Sequence, residues 1–147
     1  MMESNTKGFN LPLYLAWIVS VIATLGSLYF SEIKEFIPCE LCWFQRIFMY
    51  PLAVILGIAA FYNEIKLKKY VLPLSLLGGL ISIYHYMEQK IPGFAGIKPC
   101  VQGVPCNTQY INWFGFITIP FLALTAFTVI SILMIILHVN DQKSTNK

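Results

Sequence analysis

The chain has 147 residues, of which 57% are apolar and 12% are charged. Soluble domains carry about 25% charged residues, so this composition excludes an ordinary soluble domain and indicates an integral membrane protein. The net charge of +3 is small and indicates no nucleic-acid partner.

The first apolar segment runs from Leu11 to Phe30 and contains no charged residue. A helix of this length crosses the roughly 30 Å of hydrocarbon in a bilayer. Because the apolar region of a signal peptide is usually about 7 to 15 residues long, this segment is predicted to be a retained first span.

A short acidic loop then leads to the octet Cys39-Glu40-Leu41-Cys42-Trp43-Phe44-Gln45-Arg46. Pro38 disfavours helix in the residue before it, so a helix is predicted to begin at about Cys39. Unpaired amides and the positive end of the helix dipole favour a thiolate in such a first turn. Arg46 lies four residues after Cys42 and so on the same face. The octet also fits a structural disulfide, half of a metal site, or a snorkelling arginine.

The second and third spans are predicted at 42–62 and 70–88, separated by a basic loop at 63–69. Small residues along the third span favour close helix packing; they are Ser75, Gly78, Gly79 and Ser82. His85 lies near the end of this span, where it is either a hydrogen-bonded interface residue or a ligand contact.

The long loop at 89–112 carries Cys100 and Cys106, and a fourth span is predicted at 113–138. Pro120 is expected to kink this last helix. Aromatic residues at its start suit an interfacial belt, and the polar tail from His138 onward is expected to fray.

The positive-inside rule orients this arrangement. With both termini and the 63–69 loop on one side, that side holds six lysines: Lys7, Lys66, Lys68, Lys69, Lys143 and Lys147. The termini are therefore predicted to be cytoplasmic and all four cysteines extracytoplasmic. The predicted fold is all-α: residues 1–147 form one membrane domain, a four-transmembrane-helix bundle with two short extracytoplasmic loops.

The two cysteine pairs then face the same side of the membrane. Five residues separate Cys100 from Cys106, and Gly103 and Pro105 can bend the chain enough for a disulfide. A simple loop staple remains an alternative. Two structural disulfides in adjacent loops would add little stability to a helix bundle that is already held by the surrounding lipid. Two dithiols that exchange with each other would instead carry electrons between a soluble protein thiol and a lipid-soluble carrier.

The motif Cys39-x-x-Cys42-x-x-Gln45-Arg46 at the second of four spans, with Cys100 and Cys106 before the fourth, resembles the DsbB family, and within it the short Gram-positive-type BdbC-like branch. The resemblance covers essentially the whole chain. It implies a bacterial cell-membrane enzyme that re-oxidises an extracytoplasmic DsbA/BdbD-like, thioredoxin-like thiol oxidase and passes electrons to a quinone of the menaquinone or ubiquinone type.

The resemblance also implies a role for each site residue. Cys100 forms the mixed disulfide with the partner and Cys106 is its loop mate. Cys39 exchanges with the loop pair, and Cys42 is the thiolate that engages the quinone. The quinone contacts are Arg46, His85 and Gln45, and no resident metal is expected.

Three alternatives stand beside this interpretation. A vitamin K epoxide reductase-like enzyme has the same parts, but with its loop pair before its Cys-x-x-Cys. A metal-binding membrane protein could use the four cysteines as a thiolate site. A structural or assembly protein would need only stapled loops.

Overall fold

The computed structural model describes residues 10–91, 93, 105–106 and 109–146. Within these ranges the chain is helical and contains no named strand. Its four α-helices are α1 (Leu11–Leu28), α2 (Glu40–Tyr62), α3 (Lys68–Lys90) and α4 (Ile119–Thr145). Each of the four helical segments is long and apolar enough to cross a membrane. The predicted all-α, four-span membrane fold is confirmed.

The helices pack as a square in chain order. Each contacts the next one, α4 returns to α1, and the diagonal pair α2 and α4 touch little. The centre is filled by fully buried side chains, among them Leu52, Leu56, Phe127, Ile130 and Leu137. Many large apolar side chains remain exposed on the outer faces, as lipid contact requires.

The chain between α1 and α2 brings the cysteine octet to one end of the bundle, here called the cysteine end. A short π-helix, Tyr29–Ile33, continues α1, and π-helical turns are often found at functional sites. Cys39 is the N-cap of α2, with extended backbone angles (φ −73°, ψ 170°), and Glu40 begins the helix. The predicted start is therefore correct to one residue, but only Cys42 lies within the first turn.

The start of α4 differs from the sequence prediction. Residues 113–117 form a tight turn closed by a bridge between Trp113 and Ile117, and the helix begins at Ile119. Phe114 and Gly115 have positive φ values in this turn, and an α-helix cannot accommodate such values. Pro120 lies in the first helical turn, where its missing N–H has no helical partner to lose. The predicted kink at Pro120 is wrong, because the proline lies in the first turn of the helix.

The end of α4 also differs, because the expected frayed tail is helical as far as Thr145. Lys68, only 7% exposed at the start of α3, forms an ion pair with Asp141 of α4. Side chains farther along bond back to the preceding turn, as Thr145 does to the Asp141 carbonyl. The helix is extended because a buried cation on the neighbouring helix requires a carboxylate partner.

The small-residue face of α3 lets α4 approach closely, as predicted. A Cβ atom built on Gly78 would lie 2.4 Å from the ring of Phe127, whereas one on Gly79 would lie at an ordinary 3.7 Å from the Cβ atom of Phe127. Ser75 and Ser131 bond across the same contact at 2.9 Å. Phe127 thus occupies the space that the missing side chain of Gly78 leaves.

Gly78→Ala is therefore expected to destabilise the bundle by about 1–3 kcal/mol, the usual cost of overpacking, while Gly79→Ala is expected to be nearly neutral. The measurement is thermal or denaturant unfolding of both variants in the same detergent. Equal stability of the two variants would contradict the assignment of Phe127 to that space.

Candidate dithiol site

Cys39 and Cys42 lie side by side at the start of α2. Both are free cysteines, and their sulfur atoms are 3.1 Å apart. The i, i+3 spacing across an N-cap and a first helical turn brings the two side chains to the same face. A pair this close can form and break a disulfide with little backbone movement.

His85 of α3 contacts this pair and is fully buried. Its Nε2 atom lies 3.6 Å from the Cys39 sulfur and 3.2 Å from the carbonyl oxygen of Cys106. Because a carbonyl oxygen only accepts hydrogen bonds, Nε2 carries the hydrogen. Nδ1 then accepts from the Gln45 amide nitrogen at 3.3 Å. The Cys106 carbonyl therefore sets the tautomer with which His85 faces the sulfur, and the Gln45 amide matches it.

Cys106 reaches the same place from the loop. It is disulfide-bonded and 2% exposed, and it forms one buried cluster with Cys39 and Leu41. Cys100 lies outside the described residues. The structure therefore brings one member of each predicted cysteine pair together, around a shared histidine.

A second side of the pair faces a large apolar cavity of about 480 Å³. Cys42 and Arg46 both line it, together with Gln45 and side chains from α1 and α4. Among the described cysteines, Cys42 alone lines this cavity, and with Cys39 it also lines a smaller one of about 20 Å³. The Cys42 sulfur thus lies between the buried contacts of Cys39 and the open apolar space.

Arg46 is held at the cavity wall by α1. Its Nη2 atom donates to the Ser31 hydroxyl at 2.5 Å and to the Ser27 carbonyl at 3.3 Å. Its guanidinium carbon lies 5.6 Å from the centre of the Trp43 ring, within the range of a cation–π contact. These contacts fix a cation beside Cys42.

Three aromatic rings form another part of the cavity wall. Phe30 and Phe36 are stacked with centroids 6.1 Å apart, and Phe36 and Tyr110 with centroids 4.7 Å apart. All three line the large cavity. The stack also joins the segment before Cys39 to the segment after Cys106.

Cys39 lies just outside the predicted span of α2, and its environment favours the thiolate. A hydrogen bond with the Cys42 thiol and a further one with His85 lower the pKa of Cys39 to about 4, against the opposing effect of burial. The ordinary value is 9.0. Cys39 is therefore ionised at neutral pH.

Cys42→Ala is expected to raise the pKa of Cys39 towards its ordinary value, because the substitution removes the largest stabilising contact. In the wild type, the alkylation rate of Cys39 should be constant above about pH 6 and fall only in acid; in the variant it should keep rising through pH 9. The measurement is alkylation followed by peptide mass spectrometry. Cys42→Ser, which retains a donor, is the control, and identical profiles for serine and alanine would contradict this origin of the shift.

The described site residues predicted from sequence meet at the cysteine end, but in two groups. Cys39, His85 and Cys106 form a buried hydrogen-bonded group, and Cys42 and Arg46 face the cavity. Gln45 belongs to both, because it bonds His85 and lines the cavity. Sequence reasoning missed Ser27, Ser31 and Thr118. Of the three stacked rings it considered only Tyr110, as part of the interfacial belt, and not Phe30 or Phe36. The one sequence feature that could have indicated these residues was the polar Ser31 immediately after an apolar span.

Comparisons with known proteins agree with this site. Residues 10–137 match the family model described as Disulfide bond formation protein DsbB. The chain is 69% identical over 125 residues to Disulfide bond formation protein C of Bacillus subtilis (strain 168), covering 85% of this chain and 91% of the relative. It is 48% identical over 127 residues to a Probable disulfide formation protein of Coxiella burnetii (strain CbuK_Q154), covering 86% of each. No solved structure matches the chain significantly.

Proposed function

Because this chain belongs to the DsbB family of disulfide bond formation proteins, we propose that it re-oxidises an extracytoplasmic thioredoxin-like thiol oxidase of the DsbA/BdbD type and passes the electrons to a membrane quinone. Membership of the family makes the chain a membrane thiol-disulfide oxidoreductase.

One observation carries the proposal: Cys42 lies between a buried exchange site and a cavity that suits a quinone. Ligand pockets usually enclose about 300–1,000 Å³ and are mainly apolar, and this one encloses about 480 Å³. Its wall includes Ile22, 64% exposed, and Leu122, 40% exposed. Exposed apolar side chains on α1 and α4 support entry from the lipid.

The donors around the cavity also fit a quinone. The stacked rings can pack against its planar head group. Arg46, held by Ser31, can donate to a carbonyl oxygen and favour negative charge on it. A bound quinone would supply an acceptor for two electrons and two protons.

In the proposed exchange, the partner's dithiol first reduces the Cys100–Cys106 disulfide, with Cys100 taking the mixed disulfide because Cys106 is buried. The loop dithiol then reduces the Cys39–Cys42 disulfide and is itself re-oxidised. Each exchange breaks one sulfur–sulfur bond and forms another. The helix pair is left as a dithiol, and its oxidation returns the cycle to its start.

His85 is suited to the second exchange, since its Nε2–H faces both the Cys39 sulfur and the Cys106 carbonyl. It can hold the two cysteines in register and stabilise Cys39 as a leaving or attacking thiolate. His85 therefore serves protein exchange in this proposal, and Gln45 positions His85 rather than the quinone.

The proposed orientation places the cysteine end outside the cytoplasm. The opposite end holds Lys66, Lys68 and Lys69 before and at the start of α3 and Lys143 near the end of α4, which is the charge bias of a cytoplasmic face. Membrane-impermeant thiol reagents applied to intact cells test this orientation.

Enzymatic turnover tests the rest. Purified protein in detergent is mixed anaerobically with a reduced thioredoxin-like oxidase and a short-chain quinone, and quinone absorbance is followed. We expect one quinone reduced for each disulfide formed in the oxidase. Oxidation of the partner at an equal rate without quinone would refute the proposal.

A further inference from the structure

The reduced pair of Cys39 and Cys42 forms, with His85, a compact group of soft ligand atoms. The two sulfurs and an imidazole nitrogen lie within 4.8 Å of one another. Thiolate and imidazole are the ligands that Zn²⁺ prefers. We propose that the reduced protein binds a thiophilic divalent cation such as Zn²⁺ through these three residues, and that the bound ion arrests the enzyme.

All three ligand atoms lie within 4.8 Å of one another, so coordination requires side-chain movements of about 1 Å. Tetrahedral zinc with ordinary bond lengths places two sulfurs about 3.8 Å apart and a sulfur and a nitrogen about 3.6 Å apart. The distance from the Cys39 sulfur to His85 Nε2 is 3.6 Å, and the sulfur–sulfur distance is 3.1 Å. The sulfurs must separate by about 0.7 Å, which a side-chain rotation of Cys39 outside the helix can provide.

Space for a fourth ligand adjoins the same atoms. The cavity of about 20 Å³ is lined by Cys39, Cys42, His85 and Thr118, and such a volume holds about one water. Thr118 is 1% exposed, and its hydroxyl has no hydrogen-bond partner among the described residues. A water completing the tetrahedron would satisfy this buried hydroxyl.

Gln45 can orient the histidine for either role. With Nε2 on the metal, Nδ1 carries the hydrogen, and the Gln45 amide accepts it after a flip that exchanges its oxygen and nitrogen. Zinc-bound histidines almost always donate their other N–H in this way. Binding breaks the bond from Nε2 to the Cys106 carbonyl. At neutral pH it releases one thiol proton, that of Cys42, because Cys39 is already ionised, and the ion with two thiolates and a neutral imidazole carries no net charge.

The arrest follows from the loss of both thiolates. A disulfide between Cys39 and Cys42 cannot coordinate the ion as a thiolate pair, so only the reduced enzyme binds it. The coordinated sulfurs can neither exchange with the loop nor pass electrons on. This inhibition rests on the proposed function, whereas the site itself does not.

Cobalt titration tests the site without quinone or partner. The untagged chain carrying Cys100→Ser and Cys106→Ser is reduced, freed of reductant anaerobically, and titrated with Co²⁺. We expect one Co²⁺ per chain, with the visible bands of tetrahedral cobalt and a sulfur charge-transfer band, displaced by Zn²⁺. Absence of these bands, or their appearance only when the loop cysteines are present, overturns the proposal.

Two histidines make a matched comparison, since the chain has only these two. His85→Ala should weaken cobalt affinity more than about tenfold, while His138→Ala, at an exposed position of α4, should leave it unchanged. Gln45→Glu should tighten binding, because a carboxylate accepts from Nδ1 more strongly. Gln45→Glu also tests the site if His85→Ala does not fold. Equal affinity in both histidine variants, or no gain with Gln45→Glu, contradicts the site.

Turnover separates this inference from the proposed function. Stoichiometric Zn²⁺ added to wild-type protein during turnover should lower the rate at least about tenfold, and a chelator should restore it. If the metal binds but the turnover rate is unchanged, the proposed inhibition is refuted. Absence of quinone turnover without any metal refutes the proposed function instead, and the cobalt result then stands alone.

Discussion

Cys42→Ser is expected to abolish quinone reduction, with a loss of at least about 10³-fold in turnover, the scale seen when a covalent nucleophile is removed. The reason is positional: among the described cysteines, only Cys42 lines the large cavity. A hydroxyl there cannot form a disulfide, so the electrons have no path from Cys39. The measurement is the anaerobic quinone assay with reduced partner.

Cys39→Ser provides the comparison for this variant. It should be equally inactive in turnover, because Cys39 adjoins Cys106. The two variants should differ in quinone binding, since the cavity wall is altered only when Cys42 is changed. Substantial quinone turnover by the Cys42→Ser protein would remove the central step of the proposed mechanism.

Arg46→Ala is expected to lower kcat/KM for the quinone by about 10²-fold, the usual cost of removing one charged donor from a site where negative charge develops. The loop disulfide should still form, because Arg46 contacts neither Cys106 nor His85 in the described structure. Steady-state kinetics over a range of quinone concentrations measures the first effect, and thiol trapping checks the second.

Two further variants show how Arg46 acts. Ser31→Ala keeps the charge but removes its 2.5 Å hydrogen bond, so a loss of less than about tenfold is expected, the scale of one ordinary hydrogen bond. Arg46→Lys keeps the charge but lacks the planar guanidinium group, so its kcat/KM for the quinone should lie between those of Arg46→Ala and the wild type. A normal quinone dependence in Arg46→Ala would make this residue a membrane anchor only.

Much of the bundle was predictable because its signals are local. Apolar runs long enough to cross a bilayer account for the four spans, the second of them only when the turn that carries Arg46 is added. The start of α2 follows from Pro38 to within one residue. The i, i+4 spacing of Cys42 and Arg46 also places both on one wall, as expected. These features depend on helix geometry and need no knowledge of the neighbouring helices.

The features that the sequence did not reveal depend on contacts between distant segments. The extension of α4 to Thr145 goes with the pairing of Asp141 and Lys68, which are 73 residues apart. The turn at 113–117 contains two positive φ values, and apolar periodicity cannot separate such a turn from a helix end. Thr118 was unremarkable as a residue type, and only its burial without a partner draws attention to it.

The backbone gives the two sulfurs of the octet different freedom of movement. Cys39 precedes the first helical residue in an extended conformation, whereas Cys42 is locked into the hydrogen-bonded spiral, and groups on regular elements are held more exactly than those on connecting segments. The Cys39 sulfur, on the extended segment, suits exchange with the loop disulfide, whose approach need not be exact. The Cys42 sulfur, held by the helix, suits a small planar oxidant, whose reaction tolerates little misplacement.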